Sequence, residues 1–253
     1  PVQHFYSVLA LVGAVGCLQE HSHGFLGHNR DILKDALNHG GLSMKEGFRI
    51  LGAHTQPLAK LLASSIDPYL PGLSGQRNVL EHLRGLLGND FKDNTTLDHL
   101  AQEQLHILHA FLKEKSTAFF NGWIYTLTHE TGVFRSLLDY YHVICACIAS
   151  GKFSIAAGVC LQDHSSRQQA LTLFDSYKYD LLKLFEWFSA HHDDDSIVKG
   201  PHHVFLSAPH NSFDQLLEPF ICLLSKALVY PPGTLILGIA PTLDGQLALS
   251  AYT

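Results

Sequence analysis

The spacing of apolar residues constrains this chain more than any other feature, because it follows a helical repeat along most of the sequence. In the stretch "SSRQQALTLFDSYKYDLLKLFEWF", one apolar stripe consists of Leu171, Phe174, Leu181, Leu184, Phe185 and Phe188. Spacings of three and four residues predict helices over residues 31–37, 44–64, 96–115, 123–148 and 166–190. The chain is therefore predicted to be mainly α.

Glycine, proline and polar residues mark where the helices stop. "SSIDPYLPGLSGQ" and "AHHDDDSIVKGPHH" are predicted loops, and "NSFDQLLEPFICLLSKAL" is a predicted helix that begins near Asn211 or Ser212. The last twenty residues hold two runs rich in Leu and Ile around Asp244-Gly245, which predicts a tight turn. Since no long linker divides the sequence, we predict one domain over residues 1–253, a single-domain helical bundle with a small C-terminal β-hairpin.

Composition limits the classes of partner that the chain can bind. Hydrophobic residues make up 46% of the chain, which is ample for a sizeable core. The formal net charge is −6 and no long Lys/Arg cluster occurs, so nucleic acid is not expected as a partner. The apolar run from Phe5 to Gly16 is too short to cross a bilayer, so we predict a buried helix and no membrane span. The sequence does not determine the cellular compartment, although it favours secretion.

Histidine is the most unusual component, with 18 residues. On a helix, His99, Glu103 and His106 share one face, and Glu103 and His106 have the Glu-x-x-His spacing of di-iron bundles, as do Glu20 and His23. Because leucines occupy the opposite face of that helix, a solvent-facing stripe is the simpler interpretation.

Two further segments place histidine beside carboxylates. "AHHDDDS", residues 190–196, offers ligands for a divalent metal, although an aspartate run after a helix is more often a solvated loop. "LTHETG" places His129 and Glu130 in an apolar region, where burial would tune them as an acid–base couple. The alternative for the second pair is a structural polar contact near a helix end.

The remaining motifs are mostly structural. The five cysteines include no Cys-x-x-Cys pair, and Cys145 and Cys147 are predicted to be small buried thiols. Nucleophile-elbow, Walker and dinucleotide motifs do not occur in the sequence. "HSHGFLGHNRDI", residues 21–32, is predicted to end a helix and turn sharply, with Gly24 and Gly27 allowing the turn.

Four segments, in their order along the chain, resemble the haem-thiolate peroxidases, the family of chloroperoxidase and peroxygenase. They are "HSHGFLGHNRDILKDALNHGG", "NVLEHLRGLLGND", "NDFKDNTTLDHLAQEQL" and "WIYTLTHETGVFRSLL", which together cover roughly half of the chain. The Pro-Cys-Pro motif that supplies the family's haem ligand has no counterpart here. Leu83 replaces the aspartate of the family's Glu-His-Asp motif, and Gly85 replaces its cation-binding serine.

The resemblance implies haem as cofactor, with Cys17 as its thiolate ligand. It also implies Glu81 and His82 as ligands of a divalent cation, and His129 and Glu130 would assist peroxide cleavage. The implied function is peroxide-dependent oxidation of a small organic substrate.

Two alternatives stay open. One is a cofactor-free or metal-dependent helical enzyme, or a His-rich protein that binds a hydrophobic ligand. The other is a non-catalytic interaction protein whose histidines sense pH in an oligomer interface.

Overall fold

The structure of the chain is a computed structural model. It describes residues 2–17, 19–21, 24–53, 55–88, 91–116, 120–208, 214–242 and 244–253. These residues divide into two compact units. Unit 1 comprises Pro1–Gln56 and Phe120–Asp175, and unit 2 comprises Pro57–Phe119 and Ser176–Thr253. The prediction of one domain over residues 1–253 stays a prediction.

Helices dominate both units. They are α1 Val2–Gly16, α2 His28–Asn38, α3 Leu58–Ala63, α4 Val79–Leu87, α5 Gln102–Lys115, α6 Leu137–Ala149, α7 Phe153–Cys160, α8 His164–Ala190 and α9 Leu217–Lys226. The strands are β1 Glu20–His21, β2 Gly24–Phe25, β3 Leu42–Phe48, β4 Asn121–Leu127, β5 Ile197–Lys199, β6 His203–Ser207, β7 Leu235–Pro241 and β8 Leu247–Tyr252. Helical residues amount to 51%, which confirms the mainly α prediction. The strands form more than one hairpin, so the description as a bundle with a single hairpin is incomplete.

Unit 1 begins with the predicted apolar helix. Helix α1 packs against α2 and α6, and its buried side chains are Val8, Leu11, Val12, Ala14 and Val15. The predicted turn after α1 is confirmed, because Gly24 and Gly27 adopt φ angles of 94° and 55°, which favour glycine. Strands β1 and β2 pair across this turn, with Glu20 opposite Phe25. Ser22 and His23 lie outside the described residues.

Two of the predicted helices are wrong in their first parts. Strand β3 replaces the start of the predicted helix 44–64, and β4 replaces the start of 123–148. The two strands pair antiparallel, from Leu42 opposite Leu127 to Phe48 opposite Asn121. Their hydrogen bonds join segments more than seventy residues apart in the sequence, and such pairing leaves no trace in local spacing. The later parts of both stretches are helical, as α3 and α6.

The long helix α8 confirms the apolar stripe seen in the sequence. Phe174, Leu181, Leu184, Phe185 and Phe188 are buried. The helix begins after Asp163, whose carboxylate accepts a hydrogen bond from the Ser166 amide at 2.7 Å, the usual geometry of an N-cap. The predicted loop over residues 64–76 has no helix, whereas the second predicted loop contains β5. No helix among the described residues is both long enough and apolar enough to cross a bilayer.

Unit 2 contains a four-stranded sheet in the order β5-β6-β7-β8. Strands β6 and β7 are parallel and are connected through α9, which packs on one face of the sheet. The close approach needs Gly238, since a Cβ there would lie 2.8 Å from the Ile221 side chain. Strands β7 and β8 are antiparallel, which confirms the predicted hairpin at Asp244-Gly245. Residues Asn211 and Ser212, where the preceding helix was predicted to begin, lie outside the described residues.

Candidate interaction surface

One face of the four-stranded sheet is apolar and is not covered by α9. Along β7, buried residues alternate with half-buried ones, and the buried set (Ile236, Gly238, Ala240) faces α9. The register of the four strands places the alternate side chains on the opposite face. We call this the outer face; its apolar residues are Val198, Phe205, Leu235, Leu237, Ile239, Leu247, Leu249 and Ala251.

The outer face is most exposed along β8. Leu247 and Leu249 have 67% and 69% of their surface in solvent. A single exposed leucine is ordinary on a protein surface. Two leucines that alternate along one strand, continuous with half-buried neighbours on β7, form an apolar patch of the kind that marks interaction sites.

The position of β8 in the sheet exposes its backbone as well. Strand β8 pairs with β7 on one side, and none of the described strands pairs with its other side, which we call the β8 edge. The strand sequence "LALSAY" contains no charged residue and no proline. Natural proteins protect sheet edges with charges, prolines, bulges or very short strands. The β8 edge lacks charge and proline, and it extends over six residues.

The opposite edge of the same sheet is protected. Strand β5 has three residues and includes Lys199, whose ammonium lies 3.3 Å from the Asp193 carboxylate. A short, charged strand gives an incoming strand few backbone partners. The two edges of this sheet therefore differ in their capacity to accept another strand.

The inner side of β8 is fixed to α9. Burial, with Cys222 beside it, raises the pKa of the Tyr252 phenol to about 12. Burial also raises the pKa of the Cys222 thiol, so this pair is uncharged near neutral pH. Lys226, one turn further along α9, lies 3.5 Å from Asp67. Helix α9 thus packs against the inner side of β8, while no described strand pairs with the opposite edge of β8.

Unit 1 contains a shallow recess with a cavity volume of about 20 Å³. It is lined by Val15, Phe48, Arg49, Ile50, Ala53, Trp123, Ile124, Tyr125, Ser136, Leu137 and Leu138. The Arg49 guanidinium pairs with the Glu20 carboxylate at 2.7 Å. Burial, followed by the charge of Glu20, raises the pKa of the Tyr125 phenol. A cavity of this volume has room for about one water molecule, which is far too small for an ordinary small-molecule site.

The residues predicted to serve a haem do not line this recess. Cys17 is exposed, one residue beyond α1, and His129 is exposed in the turn after β4. Glu130 forms a bidentate ion pair with Arg167, at 2.6 and 2.9 Å, which agrees with the structural interpretation of "LTHETG". The Arg167 guanidinium also lies 4.6 Å from the Phe134 ring. The peroxidase function stays a prediction that a Soret band would test.

The candidate metal ligands are exposed as well. Glu81 and His82 are neighbours on α4 and point in different directions, since adjacent helical residues do not face each other. His99, Glu103 and His106 are exposed, as predicted, but only Glu103 and His106 lie on α5, since His99 ends a short 3-10 helix, Leu97–His99, that precedes it.

In the loop after α8, the Lys199 ammonium lies against the side chains that a metal cation would need as ligands. Its ammonium lies 3.1 Å from His192 Nδ1 and 3.3 Å from Asp193. Within the described ranges, no group of three or more His, Cys, Asp or Glu side chains is arranged to hold a metal ion.

The hairpin could be predicted from the sequence, but the surface that it forms could not. The available signal was the uncharged, proline-free run "LALSAY" after the Asp244-Gly245 turn. Its meaning depends on which strand lies at the edge of the sheet, and that follows from the crossover through α9.

Comparison with solved structures relates the chain to CDC45 from Entamoeba histolytica, known from a crystal structure. The TM-score is 0.63 and the identity 9%, over 98% of this chain and 57% of that one. The two proteins share a fold. The chain spans little more than half of the length of that CDC45, and at this identity the likeness concerns the fold alone. No protein-family model and no curated protein matches the sequence.

Proposed function

We propose that this chain is a protein-binding module that accepts an extended segment of another protein as an added strand at the β8 edge. The observation that carries the proposal is an uncharged six-residue edge strand with Leu247 and Leu249 two-thirds exposed. Strand addition is a recurrent mode of peptide recognition, in which backbone hydrogen bonds give affinity and alternate side chains give specificity. Of the functions predicted from the sequence, the non-catalytic interaction protein is the most similar to this proposal.

The chemistry of β8 defines the segment that it would accept. An added strand places every second side chain on the outer face, beside Leu247 and Leu249, so those side chains should be apolar. Because β8 carries no charge, a charged residue in the added strand would gain no partner from it. The expected ligand is therefore a short extended segment of uncharged, partly β-branched residues.

Binding of a defined strand peptide tests the proposal. The probe is a fluorescein-labelled hexapeptide of alternating threonine and valine, and the readout is fluorescence anisotropy. Leu249→Lys removes an apolar contact of about 1–2 kcal/mol, which corresponds to roughly tenfold weaker binding. Val198→Lys is the matched control, because it adds the same charge to the outer face but at the opposite edge, three strands from β8, where the side chain is 54% exposed.

The outcomes show whether the peptide binds at the β8 edge or elsewhere on the protein surface. Weaker binding to L249K with unchanged binding to V198K supports the proposal. Equal binding of the peptide to the original chain and to L249K would refute it, as would no binding to either. Circular dichroism of both variants checks that the sheet is still folded.

A further inference from the structure

We propose that the β8 edge also pairs with the β8 edge of a second copy of this chain, which gives a reversible two-fold dimer with one continuous eight-stranded sheet. This inference rests on the proposed function, since it uses the same edge and names one strand that fits it. The juxtaposition that carries it is an exposed backbone edge beside two exposed leucines on a strand that is uncharged throughout.

Strand β8 is complementary to itself. Two copies of one strand pair antiparallel about a two-fold axis perpendicular to the sheet, and each contributes the same backbone groups. This symmetry keeps the outer faces of both copies on the same side, so residues of the same face lie opposite each other. In the register centred on Leu249, the two Leu249 side chains meet at the axis and Leu247 lies opposite Ala251. No like charges are brought together, because the strand has none.

The α9 helices lie on the face of the sheet opposite to Leu247 and Leu249. Helix α9 lies on the inner face of the sheet, where Gly238 contacts Leu217 and Ile221, and the outer face of β8 lies on the other side. The β5 edges carry Lys199 and are short, so they cannot form an equivalent contact. The β8 edge is therefore the edge at which this sheet can extend.

The size of the contact predicts a weak dimer. Six residues span about 20 Å and a sheet with its side chains is roughly 10 Å thick, which gives about 200 Å² for each copy. The total of roughly 400 Å² is well below the 1,200–2,000 Å² or so of a stable interface. Pairing through β8 alone should thus be reversible and depend on concentration, and a partner strand can displace the second copy.

Sedimentation equilibrium of the full chain tests the inference, over concentrations from about 5 to 200 µM. The original chain should shift from one chain of 28.0 kDa towards two as concentration rises. Leu249→Lys and Leu249→Glu should each stay at the mass of one chain, because like charges would meet at the axis. An equal mixture of L249K and L249E should regain the higher mass, since opposite charges then face each other. Val198→Lys should behave as the original chain does.

The mixture also controls for folding, because a variant that had lost the sheet could not be rescued by its partner. A constant mass of one chain for the original protein overturns the inference. So does a mixture of L249K and L249E that stays at one chain while the original protein dimerises, since that dimer would use another surface.

The test distinguishes this inference from the proposed function. If the original chain stays at one mass but binds the threonine–valine peptide through Leu249, the self-pairing is wrong and the proposed function stands. If the chain dimerises through Leu249 and the peptide neither binds nor dissociates the dimer, the edge serves self-association alone and the proposed function is wrong.

Discussion

The ion pair between Glu130 and Arg167 gives the sharpest test of whether "LTHETG" is structural or catalytic. Both side chains are largely buried, with 14% of Glu130 and 18% of Arg167 exposed. Their two hydrogen bonds, at 2.6 and 2.9 Å, are charge-assisted and worth about 1.5–3 kcal/mol each at most. Residual exposure to water reduces this, so we expect Glu130→Ala to lower the free energy of unfolding by about 3 kcal/mol.

Matched variants separate the charge from the packing. Glu130→Gln keeps the shape and one hydrogen-bond acceptor, so it should cost about half as much. The double variant with Glu130→Leu and Arg167→Met should cost less than Glu130→Ala alone, because it leaves no buried charge without its partner. The Phe134 ring, 4.6 Å from the guanidinium, would then pack against the methionine.

Thermal unfolding followed by circular dichroism measures these differences. For a chain of this size, 3 kcal/mol corresponds to a fall in Tm of about 6–12 °C. The structural role is refuted if Glu130→Gln and Glu130→Ala unfold at the temperature of the original chain. An oxidase or peroxidase activity lost in Glu130→Gln at unchanged Tm would instead support the acid–base prediction.

Three further predictions concern single sites. Cys17 is the most exposed thiol of the chain, so it should react first with Ellman's reagent in the native protein. Cys17→Ser should remove the fastest phase of that reaction, and an unchanged fast phase would contradict the prediction. Gly238→Val should lower the free energy of unfolding by about 1–3 kcal/mol, because the added side chain overlaps Ile221. Gly13 has open space around it, so Gly13→Ala should raise the free energy of unfolding by up to about 1 kcal/mol. The Tm of each variant measures the change. The Tyr230 hydroxyl has no hydrogen-bond partner in the part of the chain that the structure describes, and burial raises the pKa of Tyr230 to about 12. The phenol therefore loses its proton at lower pH in the unfolded chain than in the folded chain. Tyr230 ionisation should leave stability unchanged below about pH 10 and lower it as the pH rises to about 12. Urea midpoints over this range should fall less steeply for Tyr230→Phe than for the original chain, and equal slopes would refute the assignment.

Much of the helical structure could be predicted from the sequence, because an amphipathic helix records its buried face in the spacing of its own residues. The stripe of α8 and the exposure of Glu103 and His106 on α5 follow directly from that spacing. Strand β4 was missed, since "WIYTL" fits an apolar helix segment as well as a strand over so few residues. Strand β3 was missed because its pairing with β4 depends on residues far away in the sequence.

The sequence by itself determined the helix periods, the glycine turns and the Asp244-Gly245 hairpin, since each depends on interactions among near neighbours in the chain. Only the tertiary structure decided that β7 joins β6, that α9 covers one face of the sheet, and that β8 is left at the edge. An edge is a property of the whole sheet: the same six residues would be an ordinary buried strand if one more strand paired with them. The exposure of Leu247 and Leu249, and the proposals that depend on it, follow from that long-range arrangement rather than from the local sequence.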